Sequence, residues 1–230
     1  MPVAVKICGL GDAAGLEAAV RGGAALVGFV FYPPSPRSLP PEAAGRLART
    51  VPAGIARVGV VVDPDDAFLD DLLRHAPLDH LQLHGAESPE RVAAIRARTG
   101  CRVIKAIKIA ERADLAAIPA YEAVADLLMF DAKPPKEPGL LPGGNGLAFD
   151  WRLLAGIEVR HPWLLSGGLD AGNLSDAVRL CRAPAVDVSS GVETRPGVKD
   201  ARKIRRFLEV AARLDPPAMP VPSEPARESA

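Results

Sequence analysis

The chain alternates short apolar runs with segments of helical character, and this alternation restricts its fold more than any other feature. The apolar runs number eight and occupy residues 3–7, 26–31, 56–62, 78–83, 103–107, 127–130, 163–165 and 186–188. Helix-like segments follow several of them, at residues 12–22, 41–50, 87–98, 170–180 and 199–213. Eight repeated βα units predict a single (β/α)8 TIM barrel, with eight parallel strands inside an outer ring of helices.

The residues that close the apolar runs are the candidate functional residues, because such barrels carry their chemistry on the loops that follow the strands. They are Cys8, Arg37, Asp63, His84, Lys108, Asp131, the turn Ser166-Gly167-Gly168 and the turn Ser189-Ser190-Gly191. The predicted fold therefore brings residues that are far apart in the sequence to one face of the barrel.

The length of the chain fits one domain. Its 230 residues lie within the usual size of a single barrel and suffice to bury roughly 70% of the surface that the unfolded chain exposes. We assign residues 1–214 to the catalytic barrel. Residues 215–230 contain five prolines and little periodic apolar content, which predicts a disordered tail. The long proline- and glycine-rich connection 131–149 lies on the predicted catalytic face, which favours a functional role, such as a lid, over simple disorder.

Charge and cysteine content narrow the classes of partner. The 28 basic and 28 acidic residues cancel, so no overall field favours nucleic acid or an anionic membrane. The sequence shows neither a leader pattern nor an apolar run of membrane-spanning length, which predicts a cytoplasmic protein. Three cysteines, at positions 8, 101 and 181, lack CxxC spacing, so we interpret each as a free thiol without a disulfide or structural zinc.

Two glycine-bearing turns follow the seventh and eighth runs and predict a phosphate site. Strands seven and eight of such barrels commonly bind phosphate through backbone N–H groups. Glycine lets the backbone approach an anion closely, and a helix N-terminus can add partial positive charge. The alternative is that Gly167, Gly168 and Gly191 merely permit tight turns. The sequence GGNG at 143–146 supports the phosphate interpretation, and we expect a phosphorylated substrate.

Two strand-end residues are candidates for proton transfer. Cys8 closes the first run and would serve as a base if its thiol were activated, for example by a bound cation or a helix end. Asp131 follows an apolar stem, which favours a neutral carboxyl group able to donate a proton. The alternatives are a buried, inert thiol and a salt bridge from Asp131 to Lys133. A base and an acid on two sides of a ligand suit an isomerisation.

The sequence that contains these residues resembles the phosphoribosylanthranilate isomerase family. The resemblance extends from about residue 5 to 208. It is carried by KICG at 6–9, GFVFYPPSPR at 28–37, VGVVVD at 58–63, LQLHG at 81–85, FDAK at 130–133, GGNG at 143–146 with FDW at 149–151, LSGGL at 165–169 and DVSSGVE at 187–193.

The resemblance implies an Amadori rearrangement of N-(5-phosphoribosyl)anthranilate in tryptophan biosynthesis, without metal or organic cofactor. It implies that Cys8 is the general base and Asp131 the general acid. It also implies that Arg37 meets the anthranilate carboxylate. The other substrate-binding residues that we assign are Gln82, His84, Gly144, Gly167, Gly168, Ser190 and Gly191.

Other functions remain to be tested at this stage. A pentose-phosphate epimerase would need a strand-end cluster of metal-binding His and Asp, which the sequence lacks. A dual-substrate isomerase of histidine and tryptophan synthesis would show aspartates ending strands one and five, whereas Cys8 ends strand one. A catalytically silent phosphosugar-binding barrel is the alternative of a different class. Monomer and homodimer are both compatible with the sequence.

Overall fold

The barrel is the structural core of the protein. The computed structural model describes residues 2–133, 143, 144, 146 and 148–214. Eight parallel strands form a closed barrel in sequential order, because the first strand pairs with both the second and the eighth. The strands are β1 Ala4–Cys8, β2 Leu26–Val30, β3 Ala56–Val61, β4 His80–Leu83, β5 Arg102–Ile109, β6 Leu127–Ala132, β7 Trp163–Leu165 and β8 Ala185–Val188. The predicted (β/α)8 barrel is confirmed.

Alternation along the strands separates two apolar layers. Side chains that face the barrel axis form a small buried cluster of Val58, Ile104, Ala106, Met129 and Leu164. The intervening side chains face outward and form the larger core between strands and helices, with Ile7, Phe29 and Phe130 among them. Parallel strands buried on both faces read as near-continuous apolar runs, which is why the sequence pattern located them.

Helices cover the outside of the barrel. They are α1 Ala13–Arg21, α2 Pro41–Ala48, α3 Asp66–His75, α4 Pro89–Thr99, α5 Ile118–Glu122, α6 Leu174–Cys181 and α7 Ala201–Ala211. Side chains of Asp12, Asp65, Ser88 and Asp200 accept hydrogen bonds from the first backbone N–H groups of α1, α3, α4 and α7. These caps satisfy donors that a helix leaves unpaired. Pro41 and Pro89 begin α2 and α4, where a missing N–H costs little.

The outer ring is less regular than eight repeated units predict. Short 3-10 helices occupy Arg112–Ala117, Trp151–Leu154 and Ser190–Val192. After β6, the described residues before β7 contain the 3-10 helix at Trp151–Leu154 instead of an α-helix. After β8 comes an unpredicted antiparallel hairpin of β9, Glu193–Arg195, and β10, Val198–Lys199.

Two sequence predictions fall on residues outside the described part of the chain. Most of the long connection, at 134–142, 145 and 147, lies there, and so does the C-terminal segment 215–230. The proposed lid and the tail boundary therefore stay predictions.

Candidate active site

An open cavity lies at the carboxyl ends of the strands, where the sequence placed the functional face. The empty space within it, counted together with its open mouth, is about 830 Å³. The predicted residues that line it are Cys8, Arg37, Gln82, His84, Asp131, Gly144, Gly167, Gly168 and Ser190. The barrel thus gathers nine of the ten assigned site residues around one space; Gly191 is not among its lining residues.

Cys8 ends β1 with a buried side chain that faces the barrel interior. The neighbouring strand makes room for it through Gly28, where an added Cβ would lie 3.1 Å from the Cys8 Sγ and 3.0 Å from the Lys6 Nζ. A larger residue at Gly28 would crowd both groups. Because Gly28 has no side chain, the thiol of Cys8 and the ammonium group of Lys6 can occupy the same part of the barrel interior.

Lys6 places a cation beside the Cys8 thiol. Its Nζ is fully buried and lies 2.7 Å from the Asp187 Oδ1, and the Asp187 Oδ2 accepts a hydrogen bond from the Ser166 hydroxyl at 3.3 Å. Burial alone would lower the pKa of Lys6, but its interactions with Asp187 and then with Cys8 raise it to about 12. Burial holds the pKa of the Cys8 thiol above its ordinary value; the Lys6 charge lowers that pKa, and the Asp187 charge raises it. The ammonium group therefore stabilises the thiolate against its apolar surroundings.

Asp131 lies in a second polar chain across the cavity. His84 donates from Nε2 to the Asp131 Oδ2 at 3.1 Å, and Gln82 donates from Nε2 to the His84 Nδ1 at 2.8 Å. Lys133 instead pairs with Asp114, at 2.8 Å. The alternative salt bridge between Asp131 and Lys133 is therefore wrong.

A glycine of the long connection approaches this chain closely. A Cβ at Gly143 would contact the His84 Nε2 and lie 2.9 Å from the Asp131 Oδ2. Within the described residues, the buried Gln82 Oε1 has no hydrogen-bond partner. A buried acceptor without a partner is costly, so a ligand hydroxyl at this place would improve the polar balance of the site.

Arg37, in the loop between β2 and α2, is buried against an acidic residue that the sequence analysis did not assign. Its Nε and Nη2 donate to the two carboxylate oxygens of Glu193, each at 2.8 Å. The Nη1 lies beside Gly144, where an added Cβ would be 2.7 Å away. A second carboxylate can therefore be bound by the end of the guanidinium that carries both Nη atoms, because Glu193 already occupies its Nε edge.

The two glycine turns differ in how they use glycine. Gly167 and Gly168 have φ values of +90° and +65°, a region that side chains disfavour. A Cβ at Gly168 would also meet the Ala148 backbone nitrogen at 2.8 Å. Gly191 packs instead against the Leu169 carbonyl, so close packing explains it without a ligand. Helix α6 begins only at Leu174, so the helix N-terminus expected after the first turn is not adjacent to it.

Asp63, just after β3, and Lys108, near the end of β5, do not line the cavity. The Asp63 Oδ1 accepts from the Ala86 N–H at 2.7 Å, and its own N–H donates to Glu87 at 2.9 Å. These bonds hold Asp63 at a φ of +45° and direct it to the neighbouring loop. Burial lowers the pKa of Lys108, and the charge of Lys105 lowers it further.

The described residues contain neither a metal-binding cluster nor a membrane-spanning helix. Within that part of the chain, no cluster of three or more His, Cys, Asp or Glu side chains is arranged to hold a metal ion. None of its helices combines the length and the apolar character needed to cross a membrane.

These features define the class of protein: a (β/α)8-barrel enzyme whose mouth holds a thiol and a carboxyl group beside groups suited to anions. Comparison with known proteins then gives the family. The family model described as N-(5'phosphoribosyl)anthranilate (PRA) isomerase matches residues 5–210. A curated N-(5'-phosphoribosyl)anthranilate isomerase of Paracoccus denitrificans is 61% identical over 208 residues, which cover 90% of this chain and 96% of the relative.

Solved structures agree with the sequence match. The phosphoribosyl anthranilate isomerase of Thermotoga maritima superposes with a TM-score of 0.80 at 36% identity, covering 91% of this chain and 98% of its own. Another solved structure of a phosphoribosyl anthranilate isomerase contains reduced 1-(o-carboxyphenylamino)-1-deoxyribulose 5-phosphate; its TM-score is 0.76 at 34% identity, covering 91% of this chain and 98% of that chain.

The chain belongs to the N-(5'-phosphoribosyl)anthranilate isomerase family. It is an isomerase that catalyses the Amadori rearrangement of N-(5-phosphoribosyl)anthranilate to 1-(2-carboxyphenylamino)-1-deoxyribulose 5-phosphate in tryptophan biosynthesis. The predicted family and activity are confirmed, and the epimerase and the silent binding barrel are wrong as descriptions of the chain.

Proposed function

We propose that Cys8 is the general base and Asp131 the general acid of this rearrangement. One observation carries the proposal: both side chains line the cavity that Arg37 and the glycine turns also line. The two strands that bear them, β1 and β6, are separated around the barrel by β7 and β8. A substrate between them therefore meets the thiol and the carboxyl group from different sides.

The proposed chemistry begins with ring opening. Asp131 protonates the ring oxygen of the ribose while the nitrogen lone pair expels that oxygen from C1, which gives a protonated Schiff base. The Cys8 thiolate then removes the proton from C2. The electrons of the C2–H bond form a C1=C2 double bond and return the lone pair to nitrogen. The resulting enolamine loses its enol proton and gains a proton at C1, which yields the 2-ketone.

The neighbours of the two groups support these roles. After Asp131 has given up its proton, the His84 N–H bond stabilises the carboxylate that remains. Lys6 stabilises the thiolate before proton abstraction. Each general acid or base contributes on the order of 10² to 10⁴ in rate, and preorganised charge and positioning supply the rest.

Binding would use the two ends of the cavity. Arg37 would bind the anthranilate carboxylate through its Nη end, and the turns with Gly167, Gly168 and Ser190 would bind the phosphate, with Gly144 beside Arg37. Gln82 would accept a hydrogen bond from a substrate hydroxyl through its unpartnered Oε1. The product analogue bound by the relative carries both a carboxyl and a phosphate group. Gly191 would support the second turn by packing.

The test follows the fluorescence decay of phosphoribosylanthranilate, generated in place, with the wild type, Cys8→Ser and Asp131→Asn. We expect each variant to lose on the order of 10² to 10⁴ in turnover and to keep binding the reduced product analogue. Cys101→Ser and Asp176→Asn are matched controls away from the cavity. Turnover by Cys8→Ser within a few-fold of the Cys101→Ser control would contradict the assignment of the base, and the same comparison applies to Asp131.

The remaining partner assignments are also proposals. We expect activity without metal or organic cofactor, a monomer or homodimer, and a cytoplasmic location. Turnover after dialysis against a chelator and size-exclusion chromatography with light scattering test the first two.

A further inference from the structure

Three charged side chains form a buried triad beside the cavity: Arg37, Glu193 and Lys199. Their side chains are 5%, 4% and 1% exposed. The Glu193 Oε1 accepts from the Arg37 Nε at 2.8 Å and from the Lys199 Nζ at 2.7 Å, while Oε2 accepts from the Arg37 Nη2 at 2.8 Å. One carboxylate therefore holds two cations, and the triad keeps a formal charge of +1 for an anion nearby.

The triad fixes which end of Arg37 meets the cavity. Glu193 occupies the Nε edge of the guanidinium through two hydrogen bonds, an arrangement that fixes the orientation of the ion pair as well as strengthening it. The Nη1 end is thereby directed to Gly144, which lines the cavity. Without Glu193, a long and rotatable side chain would have to be ordered by the substrate itself, which weakens binding.

Lys199 connects the same carboxylate to the second glycine turn. Its Nζ donates to the Ser189 carbonyl at 2.9 Å and contacts the Ser189 hydroxyl at 3.2 Å. The Ser189 hydroxyl in turn donates to the Cys8 carbonyl at 3.2 Å. Ser189 immediately precedes Ser190 of the proposed phosphate turn, so Lys199 sets the position of this turn relative to Arg37 and to the end of β1.

The hairpin that follows the last barrel strand presents both residues. Glu193 pairs with Lys199 across β9 and β10, and the Gly197 N–H between these strands donates to the Glu193 Oε2 at 3.3 Å. Gly197 also packs so closely on the Pro36 carbonyl that a Cβ would collide with it. The hairpin therefore abuts the loop that bears Arg37, and its position is coupled to that loop by packing as well as by charge.

We infer that Glu193 is a positioning residue for Arg37 and that Lys199 extends the triad to the turn at Ser189, so that one buried cluster sets the geometry between the groups for the substrate carboxylate and phosphate. This inference rests on the carboxylate-binding role proposed for Arg37. A purely structural cluster would instead stabilise the fold without distinguishing substrates that have the carboxylate from those that lack it.

The decisive experiment measures the affinity for two probes: the reduced product analogue and the same compound without the carboxyl group on its phenyl ring. We expect the wild type to prefer the carboxylated probe and Glu193→Gln to lose about tenfold or more of that preference. Affinity for the probe without the carboxyl group should change little. The KM for the natural substrate should rise by a similar factor, with kcat within about threefold.

A double-mutant cycle with Arg37→Ala isolates the coupling. If Glu193 acts through Arg37, Glu193→Gln should have little further effect on the preference once Arg37 is absent. Equal weakening of both probes by Glu193→Gln, or an undiminished effect in the Arg37→Ala background, would overturn the inference. Glu209→Gln, an exposed glutamate on α7, is the matched control.

Failure of the underlying proposal gives a different result. If Arg37→Ala with Glu193 intact leaves the preference unchanged, Arg37 does not bind the carboxylate, and the inference falls with that role.

Glu193→Gln leaves two buried cations with one neutral partner and could fail to fold, so a second variant with a balanced charge is needed. Glu193→Gln with Lys199→Met restores the triad charge of +1 and should show the same loss of preference. Retention of the wild-type preference by the folded double variant would overturn the inference.

Lys199→Met alone keeps the Arg37–Glu193 pair. We expect it to weaken competitive inhibition by inorganic phosphate about tenfold while the carboxylate preference persists.

Discussion

Two buried pairs of lysine and carboxylate lie on opposite sides of the barrel sheet and have different roles. Lys6 and Asp187 face the barrel interior at 2.7 Å, and Lys105 and Glu87 lie outside the strands at 2.6 Å. The Lys105 Nζ also donates to the Gly85 carbonyl at 2.9 Å. The Glu87 Oε1 accepts from the backbone N–H groups of Asp63 and Gly85. The outer pair is surrounded by backbone partners that tie a loop to the sheet.

Among the residues that the structure describes, the side chains of Lys6 and Asp187 have no backbone hydrogen-bond partner, and their neighbour is the thiol of Cys8. Lys6 precedes Cys8 by two residues on β1, so both side chains point to the barrel axis. Lys105 occupies the opposite parity on β5 and points to the helices. The difference shows that distance and burial alone do not reveal what an ion pair does, because its place in the strand alternation decides whether its charge reaches the site.

The largest effect in this comparison should come from Lys6→Met. Loss of the ammonium group removes the charge that lowers the pKa of Cys8, so that pKa rises further above its ordinary value. Cys8 acts as a base only when it is deprotonated. The pH at which kcat/KM rises with the deprotonation of Cys8 should therefore be higher in this variant. Near neutral pH we expect a loss of about 100-fold, the lower end of a general-base contribution.

Stability must be separated from chemistry in this variant. Lys6→Met leaves Asp187 buried without its cation, which costs about 3–5 kcal/mol. Lys6→Met with Asp187→Asn removes that uncompensated charge and keeps an acceptor for Ser166. An upward displacement of the pH profile should persist in the double variant, but a smaller one, because the Asp187 charge that raises the pKa of Cys8 is lost as well. A loss of activity that is independent of pH would assign Lys6 to structure alone and remove the distinction between the two pairs.

Lys105→Met should have the second largest effect and should act on stability alone. The buried Glu87 would lose its cation, and we expect a loss of about 3–5 kcal/mol in the free energy of unfolding. The kcat of the folded variant should stay within about threefold of the wild type, because Lys105 faces away from the cavity. Urea unfolding and steady-state kinetics at one temperature check both expectations. A kcat loss comparable with that of Lys6→Met would break the comparison.

The effect of Lys105→Met on stability should depend on pH in a definite direction. Burial alone would raise the pKa of Glu87, but Lys105 and backbone hydrogen bonds bring it below its ordinary value of 4.5. A carboxyl group with a depressed folded pKa stabilises the fold above its unfolded pKa and loses that contribution as pH falls through the folded value. The stability difference between wild type and Lys105→Met should therefore be largest near neutral pH and shrink in acid.

The strands and the two groups proposed for proton transfer were predictable from local sequence. Each strand is a short apolar run, and Cys8 and Asp131 are the polar residues met where two of these runs end. Parallel-barrel topology alone then places both at one face. The first of the two glycine turns was located by the same rule, since Gly167 and Gly168 occupy positive φ values where a strand ends.

The partners of these residues were not predictable, because they depend on contacts between distant segments. Arg37 and Glu193 are 156 positions apart, and only the hairpin after β8 brings them together. Glu193 stood within a motif of the resemblance, but its acidic side chain carried no sign of its partner. Asp63 shows the opposite error: it follows an apolar run, yet its backbone conformation and its hydrogen bond from the Ala86 N–H direct it to the neighbouring loop.

The smallest effect should come from a third pair, at the end of the barrel opposite the cavity. Arg57 of β3 donates from Nε and Nη2 to both Asp79 carboxylate oxygens, at 2.8 and 2.6 Å, with side chains that are 28% and 37% exposed. Water already solvates such a pair, and exposed pairs contribute at most about 1 kcal/mol. Arg57→Met also leaves the bond from the backbone N–H of residue 57 to Asp79 in place. We expect thermal unfolding to move by no more than about 2–4 °C, with unchanged kcat and KM. If Arg57→Met destabilised the fold as much as Lys105→Met, burial would not explain the difference in stability contribution between the Arg57–Asp79 pair and the Lys105–Glu87 pair.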